Sequence, residues 1–335
     1  MSHLLQALQA RAGEFISLRR DIHRHPELAF EEHRTAALVA DKLEAWGYAV
    51  ARGIGGTGVV GTLVRGHSHK RLGIRADMDA LPIDEATGLD HASRHPGVMH
   101  ACGHDGHTAM LLAAARHLAE HGAFDGTLHL IFQPAEEGGG GALRMMEDGL
   151  FKRCPCAAIF AMHNMPGIEQ GRLVLRDGAA MASSDYATIT LTGVGGHGAM
   201  PHRAADPIVA AASIVMALQT VVSRNIDPLH AAVVTVGAGQ VTLQGPPLTG
   251  SEDFAFMLER VPGSYVLIGN GNGNGNGNGT GDSAGDGAGD SAGERGCMVH
   301  NPGYDFNDHN IGVGSAYWVL LAERFLAPRE PVSVQ

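Results

Sequence analysis

The chain has 335 residues, 44% of them hydrophobic, and 24 basic against 35 acidic side chains give it a formal net charge of −11. That length exceeds one ordinary compact core, so a main domain with a smaller satellite is expected, and the acidic balance argues against nucleic acid or an anionic membrane as partner. Four scattered cysteines make no disulfide framework, no stretch approaches a membrane span, and residues 1–24 lack the apolar core of a signal peptide, so the cytoplasm is the expected compartment.

Residues 4–24 and 31–46 read as amphipathic helices, the second stopped by Gly47, with a turn at His23-Arg24-His25-Pro26-Glu27 between them. Residues 53–61 read as a Gly-rich loop leading to a strand, without a phosphate-cradling pattern. The runs 72–76, 127–133 and 157–162 are nearly continuous in apolar residues and read as short strands buried on both faces. A helix over 108–122 is launched from the cluster His100-Ala-Cys102-Gly-His104-Asp-Gly-His107, with Met110, Leu111, Ala114, Ala115 and Leu118 on its buried face. A strand at 186–192, a helix at 207–223 and a strand at 231–236 make a β-α-β unit. Residues 269–296 are Gly- and Asn-rich with almost no large apolar side chain; they cannot offset their ordering entropy and are expected to form a flexible surface loop.

The cluster carries the chemistry. Cys102 and His104 are separated only by Gly103, which costs no steric room, so both side chains can converge on one divalent cation. Glu136 with Glu137, His163 and His300 each close an apolar run, and Asp77 ends the first of the buried strands. In an open α/β sheet the functional crevice lies beyond the carboxyl ends of the strands, where these groups fall. A lone His at a strand end is more often a hydrogen-bonded structural residue, but five ligand-type groups with a spare Glu beside one of them favour a metal centre. His91, His95, His117 and His121 read as ordinary surface or helix residues, Asp105 as a helix cap, His107 as a packing residue, and Cys154-Pro-Cys156 as a loop with two ordinary thiols.

The segments IRADMDALPI (74–83), MHACGHDGHTAMLLAAA (99–115), IFQPAEEGGGGA (131–142), AMHNMPG (161–167), GVGGHGAMPH (193–202), GSEDFAFML (250–258) and HNPGYDFND (300–308) resemble the aminoacylase-like metal-dependent amidohydrolases. That family holds hippurate hydrolase, N-acyl-amino-acid amidohydrolases and auxin-conjugate hydrolases. The resemblance implies a phosphorylase/hydrolase-like α/β catalytic domain over 1–183 and 243–335, with an inserted α+β lid and dimerisation domain at 184–242. It implies two divalent cations per subunit, zinc or manganese, with cobalt or nickel as alternatives. Cys102 resembles the bridging thiolate, and His104, Glu137, His163 and His300 complete the two coordination shells. Glu136 is similar to the general base, and Asp77 to a supporting acid that orients a ligand His, with a helix cap as an equal alternative. His197 is similar to an imidazole that reaches a neighbouring subunit's site and stabilises the oxyanion. The implied reaction is hydrolysis of an N-acyl amino acid or related small amide.

The chain departs from the family after Gln240. Residues 241–248 run straight into Gly250-Ser-Glu-Asp-Phe254, without the family's Gly-Gly-x-Ala-x-Asn-Val-Ile-Pro stretch, Gly-Thr-x-Arg strand, long helix and closing strand, so half the lid is missing. A two-stranded lid leaves unpaired edges, which leaves homodimerisation an open expectation. Loss of the Asn and Arg that position substrate leads to the expectation of a competent metal centre with weakened or altered turnover. The alternative is an impaired relative that binds metal or ligand without efficient turnover.

Overall fold

A computed structural model describes residues 2–175, 189–225, 252–272 and 297–328. The chain divides into two units, Met1–Ala180 with Glu252–Gln335, and Met181–Ser251. In chain order the elements are α1 (Ser2–Arg24), α2 (His33–Ala45), β1 (Ala49–Ile54), β2 (Gly58–Arg65), β3 (Arg71–Asp77), α3 (His104–His121), β4 (Gly126–Gln133), α4 (Gly141–Glu147), α5 (Leu150–Arg153), β5 (Ala158–Met165), β6 (Leu173–Val174), α6 (Pro207–Thr220), α7 (Phe254–Leu258), β7 (Gly263–Gly269) and α8 (Asn310–Phe325).

The first unit is built on one seven-stranded sheet of order β1-β2-β4-β3-β5-β7-β6. Its centre, β4-β3-β5-β7, is parallel, while β1, β2 and β6 pair antiparallel at the margins. Central parallel strands are covered on both faces, which is why β3 and β4 are almost wholly buried, with Leu72, Ile74, Leu128, Leu130 and Phe132 in the core. Helices α1, α3 and α8 pack against one another, with Phe15, Ile22, Leu111, Leu118, Trp318 and Val319 in a shared core. The contact is close at Gly314, where a Cβ would lie 2.1 Å from Met110 Sδ. Register aligns Asp77 with Gln133, so β3 and β4 end side by side.

Three local expectations change. Residues 53–61 are mostly the β1–β2 hairpin rather than a loop, because Val59 and Val60 are buried and pair with β4. Helix α3 starts at His104, not near 108, so the Cys/His cluster is its first turn. Strand β5 runs on to Met165, held there by the ladder from His163, Asn164 and Met165 to Leu267, Ile268 and Gly269. The first residues of the expected flexible loop are ordered instead. Gly269 closes β7, and the buried Asn270 is tied to Asp305 and Asn307; 273–296 lie outside the described residues.

In the second unit, α6 begins at an Asp206 cap, whose side chain accepts a hydrogen bond from Ile208 N at 2.8 Å, and it ends in a π-helical turn at Val221–Asn225. Residues 189–192 form no strand among the described residues; a single bridge joins Val194 to Ala205. The expected strand at 231–236 lies outside the described residues. Pro207–Asn225 has the length and apolarity of a membrane span, with a mean hydropathy of 1.5. This corrects the expectation that no stretch approaches one: its polar residues are uncharged until Arg224.

Candidate metal centre

The carboxyl ends of β3, β4 and β5 and the start of α3 deliver the site. Gly103 adopts φ 90°, and a Cβ there would lie 2.2 Å from Asn164 Oδ1 and 2.8 Å from Tyr304 Oη, so only glycine lets Cys102 and His104 turn inward together. Ala135 (φ 52°) and His300 (φ 62°) occupy the left-handed region without being glycine. Such positions persist only where the surroundings over-determine them. Here Ala135 N donates to Glu32 Oε1 at 2.9 Å, Glu137 N to Asp79 Oδ2 at 2.9 Å, and His300 N to Ala101 O at 2.7 Å.

The side chains singled out in the sequence converge. Cys102 Sγ lies 3.3 Å from His163 Nε2 and 3.3 Å from His300 Nε2. Glu137 Oε1 lies 3.2 Å from His300 Nε2 and 3.8 Å from His104 Nε2, with Glu136 Oε2 4.0 Å from the same His104 atom. Two triplets, Cys102-His104-His163 and Cys102-Glu137-His300, have ligand atoms within 4.8 Å of one another and share the thiol. His104 Nε2 is buried without a hydrogen-bond partner among the described residues, and the buried Glu137 Oε1 faces the ring nitrogen of His300 at 3.2 Å. Buried polar atoms are normally paired, and a thiolate, imidazoles and a carboxylate are the donor set of divalent zinc-like ions, so these residues fit such cations.

The ring nitrogens are set from behind. His104 Nδ1 faces Asp79, 2.9 Å from its carbonyl oxygen and 3.2 Å from Oδ1, and His163 Nδ1 lies 2.7 Å from Asn164 O; both rings thus turn Nε2 inward. Asp77, expected to orient a ligand His, instead places Oδ1 2.6 Å from His107 Nδ1 and accepts from Arg75 Nη1 on Oδ2 at 2.7 Å. Its Oδ2 is 3.7 Å from His104 Nε2. Asp79, two residues beyond the end of β3, takes the orienting place because Asp77 is already held by Arg75 and His107. His107 is no mere packing residue, since it joins Asp77 to Asn164. Asp105 lies inside the first turn rather than at the cap, which is Gly103. His91 is buried, 3.1 Å from Asp305 Oδ2.

Sequence reasoning also passed over a group behind Glu136. Arg75 is wholly buried and reaches Glu252 Oε1 at 2.9 Å, Asp253 Oδ1 at 3.3 Å and Gln133 Oε1 at 2.8 Å, while Tyr265 Oη donates to Glu252 Oε2 at 2.5 Å. Burial, then Glu252 and Glu137, push the Glu136 carboxyl well above the usual range. Burial acts on Glu137 the same way but is outweighed by His300 and His104, which hold it low. Adjacent carboxyls driven apart in this way suit different tasks. Burial pushes the Cys102 thiol well up, an effect a bound cation would reverse, and holds His163 down at about 3. His197 lies in the second unit, exposed, accepting a hydrogen bond from Ala199 N on Nδ1 at 3.1 Å.

The sequence profile of peptidase family M20/M25/M40 matches residues 73–281, more than half the chain. Hippurate hydrolase of Campylobacter jejuni is 54% identical over 226 residues, 68% of this chain and 59% of that protein. N-acetyl-L-cysteine deacetylase of Bacillus subtilis is 43% identical over 225 residues, 67% of this chain and 54% of that protein. The chain thus spans somewhat more than half the length of these relatives. Among solved structures, the YXEP protein of Bacillus subtilis, a dinuclear metal binding peptidase from the M20 family, superposes with a TM-score of 0.66 at 26% identity, covering 96% of this chain and 99% of that one.

Proposed function

This chain belongs to peptidase family M20/M25/M40, and from that premise we propose that it hydrolyses the amide bond of a small, hippurate-like N-acyl amino acid at the Cys102 cluster, as a cytoplasmic enzyme. The observation that carries the reading is the meeting of Cys102, His104, Glu137, His163 and His300 around His104 Nε2, a buried atom without a hydrogen-bond partner among the described residues, with Glu136 free of the two triplets beside it. Cys102, His104, His163, Glu137 and His300 would hold the two cations, with Cys102 common to both triplets; zinc or manganese suits these donors, with cobalt or nickel as alternatives. When bound, a pair of divalent cations lowers the pKa of a water and polarises the scissile carbonyl.

Glu136 takes the proton from the attacking water and passes it to the leaving amine. Its Oε2 lies 4.0 Å from His104 Nε2 and outside both triplets, a place from which it can take that proton and return it. Asp79 keeps Nε2 of His104 facing the site, and Arg75 holds Glu252 and Asp253 behind the base. His197 would stabilise the oxyanion in a partner subunit's site, carried by a lid at 184–242 inserted between catalytic segments 1–183 and 243–335.

The test reconstitutes the protein with zinc, manganese or cobalt and follows amine release from acetyl, benzoyl and indole-acetyl amino acids beside Glu136→Gln. Turnover is expected to fall ~10²–10⁴-fold in the variant with metal content retained. Metal bound without turnover on any substrate would instead support the impaired relative, a reading favoured by the direct passage from residues 241–248 into Gly250.

A further inference from the structure

Of the residues that gather at the centre, His300 has the least regular support. His163 rides on β5, Glu137 follows β4, and His104 opens α3, but His300 sits in the irregular segment between β7 and α8 at a left-handed φ of 62°. Backbone hydrogen bonds from His300 N to Ala101 O (2.7 Å) and from Ala86 N to Pro302 O (2.8 Å) hold one end of that segment. The other end is held from α1.

Arg19 is completely buried, and its guanidinium joins the first turn of α3 to the loop that precedes α8. Nε meets Asp105 Oδ2 at 2.8 Å, one residue beyond His104, while Nη2 pairs with Asp305 and Nη1 lies 3.5 Å from Asp308 Oδ1, both just beyond His300. The guanidinium also lies 5.6 Å from the centre of the Phe306 ring. That ring closes on the first turn of α3 so tightly that a Cβ on Gly106 would be 2.4 Å from Phe306 Cδ2. Three buried carboxylates thus converge on one cation, helped by His23 on Asp105 and Arg20 on Asp308, each at 2.8 Å. Without the guanidinium, Asp105 and Asp305 would face each other as buried charges, and the cheapest relief is for the His300 loop to move away. Lysine offers a single point charge and could not meet the three carboxylates through three separate nitrogens, as Nε, Nη2 and Nη1 of Arg19 do.

We infer that Arg19 is a positioning residue that clamps the His300 loop to the start of α3 and so sets the cation affinity of the Cys102-Glu137-His300 half of the centre. The inference rests on the metal-centre reading above.

The experiment uses the full chain as wild type, His300→Ala, Arg19→Lys and Asp305→Asn. Zinc stoichiometry and affinity are measured by dialysis against graded chelator, with helix content followed by circular dichroism. The wild type holds two zinc ions, and His300→Ala loses one. Arg19→Lys and Asp305→Asn keep the cation that His300→Ala keeps at unchanged affinity and bind the other ~10–100-fold more weakly. Retention of both ions at wild-type affinity overturns the inference, and so does an equal weakening of both, which a general scaffold defect would give. If Arg19→Lys does not fold, Asp305→Asn decides by the same criteria. A wild type that binds fewer than two zinc ions overturns the metal-centre reading itself, and the inference with it.

Discussion

At the residue scale, the site depends on atoms that have no room to be anything else. Gly103 is the sharpest case: alanine there would combine a strained left-handed backbone, worth about 1–3 kcal/mol, with a Cβ 2.2 Å from Asn164 Oδ1. Gly103→Ala is expected to lower the melting temperature and to cut zinc stoichiometry, since relief must move either Cys102 or His104. Buried histidines contribute to the pH response of the cation-free protein in both directions. Burial holds His100 down at about 3 and His129 at about 4, so below roughly pH 6.5 the unfolded chain binds protons the fold refuses, and stability falls as pH drops through that range. His23 acts oppositely. Burial is outweighed by Asp105 and Glu85, its folded value rises to about 9, and its contribution is full below about pH 6.5 and lost as pH rises through the folded value. Set beside the wild type, His129→Gln is expected to lose less of its melting temperature as pH falls from about 6.5 to 4; an identical loss in the two proteins would contradict this account.

At the element scale, α3 both carries ligands and packs the core. Its buried face meets α8 across Gly314, where Met110 Sδ occupies the space a side chain would need. Gly314→Val is expected to cost about 1–3 kcal/mol, read as a lower urea midpoint, while zinc stoichiometry stays unchanged because the clash lies away from the ligand turn. Loss of a cation in this variant would show that the ligand turn and the core face are less separable than their geometry indicates. The boundaries of α3 and β5 also mark where sequence patterns stop being informative. Apolar periodicity detects the buried face from Met110 onward, but His104–His107 are polar and buried, so the first turn looked like a loop. The end of β5 was missed for the same reason, since His163 and Asn164 interrupt an apolar run that the ladder to β7 nevertheless continues.

At the scale of the whole molecule, the centre exists only in the folded chain, because the pair Cys102 and His104 is far in sequence from Glu137, His163 and His300 and meets them only through the sheet and the His300 loop. Cations that bind this state and not the unfolded one stabilise it by about 2.7 kcal/mol each at a hundredfold excess over Kd. Removing them with a chelator is therefore expected to lower the melting temperature, and re-addition of zinc to restore it; an unchanged midpoint would argue against a preformed two-cation site. The donor types, their order, and their position after buried strands were legible from the sequence alone, because strand patterning and turn residues are local signals and an open parallel sheet places strand ends at its functional edge. Tertiary structure alone decided that Asp79 rather than Asp77 backs His104, that Arg75 brings Glu252 behind Glu136 across 177 residues, and that Arg19 joins Asp305 across 286. Those are pairings of buried charges between distant segments, and which carboxylate meets which cation is settled by how the layers pack, a quantity that no local pattern of residues encodes.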